Sequence, residues 1–153
     1  MMIRDTRRED MPGLARVLEE TDLFPSDMLP ELAGAFLSGE GSNDLWLTCE
    51  LDGSPVGFCY AVPEPLAEGT WNMLAIGVLQ GQQGNGSGAA LVAELETRLK
   101  ACGQRVLIAD TSGTDEFERT REFYRKRGYA EEARIRDFWG PGDDKVTFWK
   151  SLA

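Results

Sequence analysis

The run Gly84-Asn85-Gly86-Ser87-Gly88, with Gln83 just ahead of it, carries the most specific chemistry in the chain. It separates a strand-like stretch over 71–78 from a helix-like stretch over 89–102. Glycine has no Cβ, so backbone there can lie close to a ligand. The first turn of a helix offers amide N–H groups without partners, and its dipole favours an anion. Such a turn reads as a phosphate cradle. The same glycines also suit a helix entry that binds nothing, so the flanking sequence has to decide.

The chain has no histidine, and its cysteines, Cys49, Cys59 and Cys102, fall at no metal-ligand spacing. Cys49 and Cys59 lie in strand-like runs and read as small buried hydrophobes. A structural zinc site is therefore not expected. Glu20, Asp22, Glu64 and Asp110 are carboxylates whose rough location suits a general base, although solvated surface charge is the commoner role. The net charge of −10 argues against nucleic acid or an anionic membrane as partner. It is compatible with a cationic substrate, or simply with solubility.

The positioning elements follow from periodicity. A short strand over 2–6 precedes a helix over 9–20, with Pro12 in its first turn and Leu14, Val17 and Leu18 on one face. Ser26 is expected to cap a second helix running to Leu37, with Leu29, Leu32 and Phe36 on its apolar side. Strands over 45–51 and 56–62 are joined by Asp52-Gly53, a hairpin turn signal. The run over 71–78 is largely apolar and so is expected at the centre of the sheet. Leu91, Leu95 and Leu99 mark the buried face of the next helix, which Gly103 ends. A strand over 105–109, a helix over 115–127 ended by Gly128, and a hairpin of strands over 133–139 and 145–149 complete the chain. A long helical connection between two apolar strands implies a parallel crossover. The fold class is thus α/β in a single domain over 2–151: a mixed, mostly antiparallel seven-stranded sheet with helices on both faces. The tryptophans, Trp46, Trp71, Trp139 and Trp149, all lie in or beside strands, where burial is the default. No apolar run approaches the length of a membrane span. The first residues lack the apolar core of a signal peptide, so a cytoplasmic location is expected.

Two phosphate motifs compete at the glycines. Gly84-x-Gly86-x-x-Ala89 fits the dinucleotide fingerprint in its alanine form, with Asp110 placed as a ribose-binding acid. Against it, residues 79–83 intervene between strand and turn, and antiparallel strands precede the unit. A P-loop is excluded because no Gly-Lys-Ser/Thr follows. The alternative uses more of the chain. Gln83-x-x-Gly86-x-Gly88 resembles the acyl-CoA-binding motif of the GNAT superfamily of N-acetyltransferases. Phe123-Tyr124-Arg125-Lys126-Arg127-Gly128-Tyr129 is similar to the family's Phe-Tyr-x-x-x-Gly-Phe/Tyr signature, and the element order agrees over 2–150.

That resemblance implies an N-acetyltransferase that moves the acetyl group of acetyl-CoA to a primary amine and releases CoA. It implies that the strands over 71–78 and 105–109 splay apart to admit the pantetheine arm. It assigns catalytic roles to Tyr124, facing the cofactor sulfur, and to the backbone N–H of Ile76, polarising the thioester carbonyl. Cofactor contacts are expected from Ile76, Gly77, Val78, Gln83, Gly84, Asn85, Gly86, Ser87, Gly88 and Ala89, with Ser87 adding a hydroxyl. Phe117 stands where many members carry Asn, so the polar stretch Thr111-Ser112-Gly113-Thr114 is a possible substitute; Thr114 also suits a helix cap. A small cationic amine is the expected acceptor, with a protein N-terminus or lysine as the alternative. Trp71, Trp139 and the loop over 140–144 are candidate walls of the acceptor pocket, and a homodimer is compatible with the resemblance. A non-catalytic acyl-CoA-binding module on the same fold remains a second reading.

Overall fold

The computed structural model describes residues 1–153. The strands are β1 (Met2–Asp5), β2 (Leu45–Leu51), β3 (Ser54–Pro63), β4 (Thr70–Val78), β5 (Val106–Ser112), β6 (Ala130–Gly140) and β7 (Asp143–Ser151). The helices are α1 (Met11–Thr21), α2 (Leu29–Ser38), α3 (Ser87–Ala101) and α4 (Glu118–Lys126). All seven strands join one sheet in the order β1-β2-β3-β4-β5-β7-β6, so β4 is central. Every neighbouring pair is antiparallel except β4–β5.

Local chemistry explains the elements. Asp52 and Gly53 both adopt positive φ, 52° and 81°, as the tight β2–β3 hairpin requires. α3 buries Leu91, Val92, Leu95 and Leu99 against the sheet, and α1 buries Leu14, Val17 and Leu18 on the other face. α1 and α2 pack on β2, β3 and β4. A polar network ties the first strands to α1. Arg4 donates to both carboxylate oxygens of Asp10 at 2.7 and 2.9 Å, and to Glu50. Asp10 also accepts from the Arg7 amide and the Thr48 hydroxyl.

Three expectations are corrected. Ser26 makes no cap hydrogen bond; it opens a 3-10 turn over Ser26–Met28, and α2 starts at Leu29, where Pro30 fits the first helical turn. The helix expected over 115–127 opens with a 3-10 turn, Asp115–Phe117, and Thr114 makes no side-chain cap bond. Trp46 and Trp71 are buried, but Trp139 and Trp149 are 51% and 37% exposed. β6 is an edge strand with almost every residue exposed, so strand propensity there did not translate into burial.

The site depends on how β4 parts from β5. The two are paired only from Thr70–Asn72 to Val106–Ile108. Beyond that point β4 bonds to β3 alone and β5 to β7 alone. The register of β4 on β3 slips between Met73 and Ala75, leaving Leu74 as a bulge.

Candidate active site

The bulge decides which amides face the gap. The Leu79 N–H donates to Val56 O at 2.8 Å, which fixes the alternation along this antiparallel pair. Residues 75 and 77 therefore bond to β3, while Ile76 and Val78 turn their N–H and C=O groups toward the gap. Before the bulge it is residues 71 and 73 that turn that way. A regular strand would have pointed 75 and 77 into the gap instead.

The glycine turn lies just beyond this strand. Gly84 and Gly86 have φ of 84° and 90°, left-handed conformations that other residues adopt at a cost. A Cβ at either would meet nothing within 4 Å, so that side is open. The first intrahelical bond of α3 runs from the Ala90 N–H to Gly86 O, at 2.9 Å. The amides of Gly88 and Ala89 therefore lie in the partnerless first turn.

Other motif residues are occupied differently. The Ser87 hydroxyl is buried and donates to Asn85 Oδ1 at 2.8 Å, so Asn85 and Ser87 brace the helix start. Gln83 Nε2 donates to Val78 O at 3.1 Å and ties the loop to the end of β4. A Cβ on Gly88 would lie 3.2 Å from the Phe123 ring, so this glycine serves the contact of α3 with α4. A Cβ on Gly77 would lie 2.9 Å from Leu23 and 3.0 Å from Val17, so that glycine serves α1 packing.

Tyr124 is buried on the α3–α4 side of the sheet. Its ring stacks on Phe148 at 5.2 Å and meets Tyr129 edge-on at 5.8 Å. Burial pushes the phenol above its ordinary pKa, with Cys59 and Asp110 adding to the shift. It is therefore a proton-bearing group at neutral pH. Burial likewise pushes the Cys59 thiol up to about 12. Arg121, unremarked in the sequence, holds α4 in place: its buried guanidinium donates to Ser112 O at 2.8 Å and Thr114 O at 2.7 Å. The hydroxyls of Ser112 and Thr114 are bonded to each other at 2.9 Å, and Ser112 also to Asp143.

The four carboxylates have distinct settings. Glu20 accepts the Gln80 amide at 3.0 Å. Asp22 ends α1 in a left-handed conformation. Glu64 accepts Asn72 Nδ2 at 3.0 Å, and Asp110 accepts the Thr147 hydroxyl at 2.6 Å. A recess of about 560 Å³ beside the end of α1 is lined by Glu19, Asp22 and Asp27 among others.

Comparison with known proteins accords with this geometry. Residues 3–129 match the model of the acetyltransferase (GNAT) family. The chain belongs to the GNAT acetyltransferase family. A GNAT-family acetyltransferase from Desulfovibrio desulfuricans shares 30% identity, a TM-score of 0.92 and 99% coverage of both chains. An aminoglycoside 6′-N-acetyltransferase complexed with coenzyme A aligns over 100% of this chain and 98% of its own, at 19% identity and TM-score 0.82. The ribosomal-protein-S18-alanine N-acetyltransferase of Escherichia coli aligns over 99% and 94%, at 16% identity and TM-score 0.81. No curated protein matches the chain in sequence. GNAT membership makes the protein an acetyl-CoA-dependent acetyltransferase. It also disposes of the dinucleotide reading, whose acid, Asp110, is here bonded to Thr147. The residues present fit the acyl donor: an open glycine turn with free amides, leading into a gap edged by unpaired strand amides.

Proposed function

We propose that the protein acetylates a primary amine of a small cationic molecule, using the β4–β5 gap as its reaction centre. The observation that carries this reading is the parting of β4 from β5, which turns the amides of Ile76 and Val78 outward beside the open turn at Gly84 and Gly86. The buried phenol of Tyr124 is proposed to face the same gap.

Acetyl-CoA supplies an activated acetyl thioester. The amides of 84–86, 88 and 89 are proposed to hold its diphosphate, and the groups of Val78 to pair with the amides of its arm like an added strand. The Ile76 N–H is proposed to stabilise negative charge developing on the carbonyl oxygen; a fixed donor does this better than mobile water. Tyr124 donates a hydrogen bond to the departing sulfur. Full proton transfer is disfavoured: a thiol has a pKa of about 8.5 and an ordinary phenol about 10, a gap of roughly 2 kcal/mol. Burial of Tyr124 widens that gap.

The attacking amine must be uncharged. With a pKa of about 10.4, deprotonation at pH 7 costs roughly 4.6 kcal/mol, which a base, a water chain or desolvation must offset. The net charge of −10 and the acidic recess at Glu19, Asp22 and Asp27 support a cationic acceptor. The cytoplasm is the proposed compartment, since all three cysteines are free. No helix is long and apolar enough to cross a membrane.

Release of free CoA thiol, measured over a panel of small amines and peptides, tests the reading. Turnover with a small amine is expected. Turnover with peptide N-termini alone would transfer the activity to proteins. CoA binding without turnover on any amine would make the chain a binding module.

A further inference from the structure

One half of the sheet lacks a helical cover on one face, and that half borders the gap. Directly paired residues share a face. Ala109 and Phe148 are paired, and Phe148 lies under Tyr124 on the α4 side. Their sequence neighbours, Ile108 with Trp149 and Asp110 with Thr147, therefore face the other way. Asn72, in register with Ile108, shares that face. α1 and α2 cover it over β2 to β4. Over β5 and β7 it is open, and apolar surface stands exposed around it: Leu74 at the bulge, Phe138 and Trp149.

Two polar features mark a point in this surface. Asp110 lies two positions past Ile108, the last residue of β5 in register with β4. Its Oδ1 accepts from Thr147, but its Oδ2 accepts no hydrogen bond. The nearest cation, Lys145 Nζ, stands 4.0 Å away and is held 4.2 Å over the Phe138 ring. Beside it, Asn72 is 8% exposed, and its Nδ2 is fixed by Glu64, which leaves Oδ1 buried without a donor. A buried acceptor without a donor, Asn72 Oδ1, and a partly exposed carboxylate oxygen, Asp110 Oδ2, thus share the face opposite Tyr124 where β4 and β5 part.

We propose that the acceptor is captured on this open face, its ammonium held by Asp110 Oδ2 ahead of the deprotonation that attack requires, and its body lying on Leu74, Trp149 and Phe138. The chemistry selects a primary amine with one positive charge and an aromatic or branched apolar body, rather than a polycation. A single ammonium satisfies Asp110, whereas a further charge beside it would meet the Lys145 ammonium. Asp110 is a specificity residue in this assignment; Lys145 on β7 and, across the sheet, Tyr124 are titratable groups near it, and Glu64 stands beyond Asn72. The inference rests on acetyl transfer at the gap.

Calorimetry on the CoA-loaded protein tests it, with 2-phenylethylamine and spermidine as probes. The wild type is expected to bind 2-phenylethylamine at least roughly tenfold more tightly than spermidine. Asp110→Asn keeps an acceptor for Thr147 but loses the charge, and should weaken 2-phenylethylamine at least tenfold while CoA affinity stays unchanged. Trp149→Ala, at an exposed position, should weaken the same probe and serves alone if Asp110→Asn misfolds. Absent binding of 2-phenylethylamine, equal or tighter binding of spermidine, or indifference to both substitutions overturns the inference and leaves the acetyltransferase reading intact. Failure of the wild type to bind CoA overturns both.

Discussion

Tyr124 gains its usefulness from the burial that also makes it a poor acid. A phenol held protonated by a desolvated setting can donate a hydrogen bond to a thiolate without surrendering its proton. Tyr124→Phe removes that donor and leaves the ring stacked on Phe148. We expect kcat to fall on the order of 10²-fold, with acetyl-CoA affinity nearly unchanged. Steady-state kinetics with calorimetry measures both, and equal turnover in the two proteins would remove the hydroxyl from the mechanism. At this scale the sequence was a partial guide. The Gln83-x-x-Gly86-x-Gly88 spacing located the turn, but it grouped residues that act differently. Gly86 provides a backbone shape, whereas Gly88 makes room for Phe123 and the Ser87 hydroxyl turns inward to Asn85. Those distinctions depend on what α4 places opposite α3, which a single motif does not encode. The lone acceptor on Asn72 was likewise invisible, because it arises only from the direction of Glu64.

At the scale of elements, the gap follows from a disagreement in register. β4 follows β3 for its full length, with one slip at Leu74, whereas β5 leaves β4 after Ile108 to follow β7. Apolar periodicity revealed the strands and the crossover, since a largely apolar β4 belongs at a sheet centre. It did not reveal the bulge, which is a property of pairing rather than of β4 alone. Nor did it show that β6 and β7 would carry exposed tryptophans, because α1 and α2 pack on β2 to β4 and leave that half uncovered. The turn into α3 offers an element-scale test. Gly86→Val places a branched side chain at φ 90° and fills the open side of the cradle. Strain of about 1–2 kcal/mol is expected in the folded protein. Affinity for CoA should also fall at least roughly tenfold. Unchanged calorimetric affinity would mean that the diphosphate is held elsewhere.

For the molecule as a whole, one buried ion pair couples pH to stability. Burial by itself would raise the Asp10 carboxyl, but hydrogen bonds from Arg4, the Arg7 amide and Thr48 outweigh it and hold the pKa below the usual value. A carboxylate lowered in the folded state contributes stability that is complete above its unfolded pKa, about 3.9, and is lost as pH falls through the folded value. Asp10→Asn removes the carboxylate that takes two of Arg4's hydrogen bonds, leaving it Glu50, and should cost about 3 kcal/mol at pH 7. Urea unfolding at pH 7 and pH 3 should show the difference between wild type and variant shrinking in acid. A difference independent of pH would detach Asp10 from the acid response. The central claim is that the glycine turn grips the coenzyme's diphosphate and delivers its sulfur to Tyr124 through the β4–β5 gap. A crystal structure of the CoA complex tests it most directly. We predict the diphosphate on the amides of residues 84–89 and the sulfur within hydrogen-bonding reach of the Tyr124 hydroxyl. A diphosphate bound away from that turn, or a sulfur on the far side of the sheet from Tyr124, would contradict it.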